Sequence, residues 1–596
     1  MLNWSNTHIC HPSHIYEPTT QAEVESILRR HAHLRQPLRV RGGALSPNGI
    51  GLCDDGCAMM NLVDFDKVLK VDAAARMVTV QPGIKVGDLC EYLIAEHGLT
   101  LENLASIAEQ QVGGFVSVGA HGTGARLPSV DMQVESMKLA TANPALGTLT
   151  LSRASNPALF DLARVGLGAL GVLVEVTLRC VPAHDLLEHT YAVSRSFIKE
   201  NHARLLREHR HVRFMWVPYT DTVVVVTNDP VPQELVKAAP SPHAAAGEVP
   251  GANGPGTGGG VGLGGSLQQQ RRRLASMYDM GKLKGMPPVG NCATGHHARK
   301  HTELEATAPM RQLLSQHPST PMEETAESLA PLGFSELRDR LLALGPLDVG
   351  WVKQVNGAEA EFWRRSESFR IGRNVDLLQF DCGGEQWVSE VAFPAGSLEQ
   401  PTGADLGFME AVLKLIEDEG IPAPAPIEQR WSSDSGSAMS PSHATPAQRR
   451  RLLAAPNLSD TFHSWVGIIM YLPTEDPAVR RSITEAFLSY KKKCASLLWD
   501  KYDAQEHWAK IEVPGKEVRD YDDEEGDRDG ESGGKKEKKK EWGEGIDQKE
   551  LAVVQRRLQR RYPLDAFVRA RRELDPLGIL SNAHVDTLMP LGVVGD

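Results

Sequence analysis

Arg41–Leu52 reads RGGALSPNGIGL, a run of small residues directly after the short apolar segment Pro37–Val40, PLRV. Residues this small let the backbone curve on itself and turn successive N–H groups to one side, where an anion such as a pyrophosphate is held. The stretch lacks the closing Gly-Lys-Ser/Thr that supplies a lysine and a magnesium ligand, so it is not a Walker A motif. Two further stretches have the same character, Gln110–Ala125 (QQVGGFVSVGAHGTGA) and Gly166–Gly171 (GLGALG). The latter fits G-x-G-x-x-G, but the helical NPALFDLARV precedes it and the strand-like VLVEVTLRCV follows. A dinucleotide fingerprint needs the opposite order, strand then helix, which excludes a Rossmann unit. A turn accounts for each stretch taken singly. Three of them in one section imply a large, flat, phosphorylated cofactor that the backbone approaches closely.

Around these glycines the signals alternate. TTQAEVESILRRHAHL carries a capping box, Thr20 with Glu23, and then apolar Val24, Ile27 and Leu28 at helical spacing. The runs PLRV, AMMNL, KVLKV and MVTV read as strands, and KVGDLCEYLIAEHG as a helix that Gly98 ends. The section to about Cys180 is therefore an α+β unit with mixed strands. Farther on, 239–266 is Ala, Pro and Gly, and 514–545 is blocks of charge. Neither can bury enough apolar surface to offset the entropy of ordering, so both read as disordered insertions.

At 596 residues the chain exceeds one ordinary core, and two or three packed units are expected. A net charge of -12 provides no broad basic field, which argues against generic nucleic-acid binding. No apolar run reaches the roughly 18 to 20 residues of a membrane helix, and no targeting segment is visible at the start. The eight cysteines form no CxxC pair, against a disulfide scaffold or zinc ribbon. CHPSH near the start, and Cys292 with His296, His297 and His301, lack a recognisable ligand spacing, and no metal is expected. Cys382 reads as a buried structural thiol, with a redox-sensitive role as the alternative.

Taken together, RGGALSPNGIGL, LTLENLASIAEQQVGGFVSVGAHGTGARLP, GLGALGVLVEVTL, APAPIEQRW, EHWAKIE and RRELDPLGILSN resemble the FAD-linked aldonolactone oxidoreductases of the vanillyl-alcohol-oxidase superfamily, and within them the plant-type L-galactono-1,4-lactone dehydrogenases. The resemblance spans nearly the whole chain apart from the two insertions. It implies an α+β, two-domain flavoprotein: a vanillyl-alcohol-oxidase-type FAD domain over 1–184, a cap and substrate domain over 185–548, and a C-terminal segment, 549–596, that completes the FAD domain. It implies oxidation of L-galactono-1,4-lactone to L-ascorbate, the final step of ascorbate biosynthesis, with cytochrome c as acceptor, on the mitochondrial inner membrane facing the intermembrane space. An oxygen-using gulono- or arabinono-lactone oxidase is the alternative, and a scaffold role in assembly of respiratory complex I is another.

The resemblance also distributes roles. The pyrophosphate would lie on Arg41, Gly42, Gly43, Ala44, Leu45, Ser46, Pro47, Asn48 and Gly49. Ala105, Ser106, Gly113, Gly114, Gly119, His121, Gly122, Thr123, Gly124, Gly171 and Val174 would line the rest of the FAD. Leu45 stands where many relatives carry a flavin-linked histidine; leucine has no nucleophile, so non-covalent FAD is expected. Ala105 would narrow the passage of oxygen. Glu428 and Arg430 in IEQRW, two apart, share one face of a strand. By resemblance Glu428 orients the substrate hydroxyl and Arg430 pairs with the flavin or a substrate oxygen. His507 and Lys510, three apart, share one face of a helical turn, with Lys510 beside the flavin N1 and C2 carbonyl.

Overall fold

The computed structural model describes residues 1–231, 290–292, 295–380, 383–445, 461–515 and 545–591. The insertion 239–266, Cys382 and nearly all of 514–545 lie outside the described residues.

Local chemistry sets the first elements. Thr20 accepts from the Glu23 N–H while the Glu23 carboxylate reaches back to the Thr20 N–H, and the helix Gln21–Leu34 starts there. Val24 and Leu28 turn inward. The helix Val86–His97 stops at Gly98, whose φ of 60° is the left-handed conformation that glycine adopts without a Cβ clash. The strand Leu38–Arg41 pairs in parallel with Ala58–Asn61, which also pairs with His14–Tyr16. Beside this small sheet lies an antiparallel one in the order Val68–Asp72, Met77–Val80, Val172–Arg179, Val134–Ala140, Thr148–Ser152.

The second unit is built on a long antiparallel sheet. Its central strands run His211–Val217, Ile427–Ser433, Thr461–Tyr471, Gln386–Ser397, with the short Gln505–Glu506 at the edge. Helices such as Ala404–Glu419 and Pro477–Cys494 cover one face, and Phe393, Phe408, Val412, Trp431 and Phe487 fill the space between.

The chain then returns to the first unit. Leu551, Leu558, Phe567, Leu574 and Val585 from the last helices join Val78, Leu89, Phe115 and Val176 in one core. The Asn582 side chain donates to the carbonyls of Gly49, Ile50 and Leu52, and buried Arg39 donates to those of Ile50, Leu167 and Leu580. These bonds hold the glycine loop against both the C-terminal segment and the Gly166–Gly171 turn.

Candidate active site

A cavity of about 500 Å³ opens between the two units. Residues 41 to 47 form one wall, continued by Ala105, Ser106, Gly113, Gly114 and His121 and by the turn Leu167, Gly168, Gly171. Glu428, Arg430, His507 and Lys510 form the wall opposite. The turn GLGALG, with Gly171 expected at the FAD, faces the cavity through Leu167, Gly168 and Gly171.

The loop suits an anionic cofactor. The carbonyl of Ala44 accepts from Trp4, and Asn3 binds the carbonyls of Ser46 and Pro47. Among the described residues no protein group accepts from the N–H groups of Gly43 to Ser46, so these donors remain for a guest. Gly114 has open space where a Cβ would stand, so a flat ring can approach its backbone.

Seven residues expected at the FAD stand off this wall. Asn48 spends its amide on the carbonyls of Trp508 and Ile511 and accepts from Ile50, closing the short turn that Gly49 begins. At Gly122 a Cβ would lie 2.1 Å from Asn103 Oδ1 and 2.3 Å from the Leu104 carbonyl, so glycine is required there by backbone packing. Thr123 donates to the Val212 carbonyl and Gly124 to that of Trp431, joining the two units. Gly119, at φ 66°, packs on Pro441 and Val165, and Val174 lies in the apolar cluster with Val24, Leu38 and Met60.

On the strand Ile427–Ser433 the alternation holds. Glu428 and Arg430 face the cavity while Gln429 points away and accepts from Trp216 Nε1 at 3.0 Å. His507 and Lys510 sit on a turn closed by the Lys510 N–H to His507 carbonyl bond of 2.8 Å, rather than on a helix, and both still reach the cavity.

The residue that joins them, Glu390, was not singled out from the sequence. Its carboxylate, 3 % exposed, accepts from Arg430 Nη2 at 2.9 Å and from Lys510 Nζ, and His121 Nε2 lies 3.2 Å away. Burial alone would push this acid up; Lys510, His121 and Arg430 outweigh it and hold it well below the ordinary glutamate range. Burial, with Lys510 next, holds His507 well below the usual histidine range, and burial also lowers His121. Both rings are therefore neutral near pH 7. The Nδ1 of His121 faces the Gly122 carbonyl, its ring stacks on Trp465 at 3.6 Å, and its Nε2 contact with Glu390 lacks hydrogen-bond alignment.

Arg430 also donates to Ser106 Oγ at 3.1 Å and pairs with Glu428 at 3.3 Å, while Arg213 lies 3.6 Å from Glu428. Around Arg430, the cations of Arg430, Lys510 and Arg213 gather with the carboxylates of Glu390 and Glu428. Such a centre stabilises negative charge appearing nearby. By distance His121, Glu390 and His507 could gather a metal ion, but Lys510 and Arg430 already neutralise the carboxylate, and an added cation would meet their repulsion.

Residues 12–149 match the model of the FAD binding domain, and residues 176–249 and 346–588 that of D-arabinono-1,4-lactone oxidase. The chain is 43 % identical to mitochondrial L-galactono-1,4-lactone dehydrogenase 2 of Oryza sativa subsp. japonica, over 99 % of this chain and 83 % of the relative. It is 42 % identical to the mitochondrial L-galactono-1,4-lactone dehydrogenase of Arabidopsis thaliana, over 99 % and 81 %. In fold it is similar to a cholesterol oxidase from B. sterolicum, with a TM-score of 0.62 over 99 % of this chain and 96 % of that one, at 13 % identity. The open N–H groups of the glycine loop are thus part of an FAD-binding domain, and the chain belongs to the aldonolactone oxidoreductase family, on its L-galactono-1,4-lactone dehydrogenase branch.

Proposed function

We propose that the protein oxidises L-galactono-1,4-lactone at the carbinol next to the lactone carbonyl, giving a keto-lactone that enolises to ascorbate. The observation that carries this is the convergence of Glu428 and Arg430 with Lys510 on the cavity wall facing the glycine loop. The substrate loses a hydride from carbon and a proton from oxygen. Bound FAD supplies the hydride acceptor. The residues do the rest. Residues 41 to 47 would hold the pyrophosphate and Gly114 would admit the ring, while Glu428 accepts the hydrogen bond of the substrate hydroxyl, fixes its orientation and takes its proton as the hydride leaves. Arg430, steadied by Glu390 and Ser106, holds an oxygen of substrate or cofactor, and Lys510 offers its charge where negative charge develops. The units 1–184 with 549–596, and 185–548, serve as FAD domain and cap.

Cytochrome c is the proposed acceptor and the mitochondrial inner membrane, on the intermembrane-space side, the proposed location; the mitochondrial names of the plant relatives support the compartment. Ala105, buried and on the cavity wall, favours this over an oxygen-using oxidase, since its methyl group narrows the approach to the ring. Purified protein should be yellow and should reduce cytochrome c with the lactone much faster than it consumes oxygen, and Ala105→Gly should raise the oxygen rate while sparing lactone oxidation. Rapid hydrogen peroxide formation by the unaltered protein would move the assignment to the oxidases.

A further inference from the structure

The cavity extends past Glu428 to a wall that the chemistry above leaves unused. The helix Val349–Arg365 places Glu359 and Trp363 on it. Glu359 is 2 % exposed, and Trp363 Nε1, at 3.3 Å, is its one hydrogen-bond donor among the described residues. Arg338 faces it electrostatically, but spends its guanidinium on Asp339, at 3.0 and 2.8 Å, and on the Tyr471 ring at 4.0 Å. Burial pushes the Glu359 carboxyl above the ordinary glutamate range, with Arg338 opposing. A buried carboxyl with one neutral donor is unfavourable unless something else completes its hydrogen bonds.

Its position says what that guest is. Trp363 packs on the cluster of Met215, Val224 and Val226, lines the cavity with Met215, and Met215 is the cross-strand partner of Glu428. Ile469 lines the same wall two residues along its strand from Gly467, the other cross-strand partner of Glu428, a step of about 7 Å. This wall therefore lies within reach of the exocyclic arm of a lactone ring held at Glu428. We propose that Glu359 and Trp363 form a second subsite that takes the exocyclic dihydroxyethyl arm of a six-carbon aldonolactone and sets the preference for it over shorter lactones. The inference rests on the lactone reading above. The two hydroxyls of the arm bring O–H donors to the free lone pairs of the carboxyl, and the indole face covers the C–H groups between them. A site built to bind hydroxyls discriminates against a substrate lacking them, because its buried polar group is then left without partners.

The test uses the FAD-loaded enzyme with L-galactono-1,4-lactone and with threono-1,4-lactone, a four-carbon ring without the arm. The unaltered enzyme should favour the six-carbon lactone at least tenfold in kcat/KM. Glu359→Gln should lose at least tenfold on that lactone, mainly through KM, and less than twofold on the four-carbon ring, with FAD content and melting temperature unchanged. Trp363→Phe, which keeps the ring and removes the donor to Glu359, should shift selectivity the same way by less. Binding of a six-carbon 2-deoxy lactone, read from the flavin absorbance, should weaken in Glu359→Gln by the same factor. Equal losses on both lactones, or none on either, overturn the subsite. Failure of the unaltered flavoprotein to oxidise either lactone would instead overturn the lactone reading and the subsite with it.

Discussion

A carboxylate sealed from water stays ionised only where cations stand against it, and Glu390 has Lys510 and Arg430 in contact. Removing the carboxylate leaves two cations, Arg430 buried and Lys510 half-buried, repelling each other on the cavity wall. Glu390→Gln is therefore expected to keep FAD yet lose on the order of 10²-fold in lactone turnover, comparable to the loss of about 10² to 10³ for Arg430→Ala, and Glu390→Asp should recover part of it. Steady-state rates near normal in Glu390→Gln would show that the pair stands without it. Glu428 and Arg430 were legible in sequence because two residues of one strand share a face whatever the strand packs on. Glu390 was not: in WVSEVAF it is one acid in a buried strand, and only the pairing of Gln386–Ser397 with Thr461–Tyr471, itself beside Ile427–Ser433, brings it to Arg430. Leu45 lies on the cavity wall and has no nucleophilic atom. Acid precipitation should release all FAD to the supernatant, and flavin left in the pellet would mean a covalent link formed elsewhere.

At the scale of elements, His211 at the head of the strand His211–Val217 ties the long antiparallel sheet to the first unit, its Nδ1 donating to the Thr123 carbonyl at 2.8 Å. Burial lowers its pKa from the ordinary 6.5 to about 4, although the bond to Thr123 opposes this. Below pH 6.5 the unfolded chain takes up a proton that the folded chain refuses, so stability falls with pH until about 4 and then levels. Across that window the loss amounts to about 3 kcal/mol. His211→Asn keeps a donor for Thr123 and removes the titration, so its melting temperature should fall less between pH 6.5 and 4.5 than that of the unaltered protein; equal falls would mean that the proton goes elsewhere. Elements whose signals are local were readable in advance. The capping box at Thr20 and the Gly98 stop depend on neighbours within a turn. The turn at His507 was read as helical because three-residue spacing suits both, and what fixes it is distant: the His507 N–H donates to the Glu390 carbonyl, just after Gln505–Glu506 pairs with Val391 and Ala392. The order of the strands in the long sheet is likewise set by partners far apart in the chain, which periodicity does not report.

Over the whole molecule, the C-terminal segment reaches its core by way of the charged stretch, and the ends of that stretch meet. The Asp547 N–H donates to the Pro514 carbonyl at 3.0 Å, and a Cβ on Gly515 would stand 2.5 Å from the Gly545 carbonyl oxygen. The described chain therefore departs at 515 and resumes at 545 at one point in space, where Asp547 caps the helix Gln548–Arg561 by accepting from the N–H groups of Lys549 and Glu550. That helix carries Leu551, Val554 and Leu558 into the core shared with the N-terminal section. The packing of the C-terminal segment on the N-terminal section thus starts from two ends that already touch. Deleting 516–544 and joining Gly515 to Gly545 should leave FAD content and lactone kcat/KM within about twofold. Shortening a loop whose ends are in contact lowers the entropy cost of closing it, so the melting temperature should stay level or rise slightly. A preparation without FAD, or one more than tenfold slower on lactone, would mean that the charge blocks belong to the working enzyme. Full activity would show that lactone oxidation does not need the charge blocks.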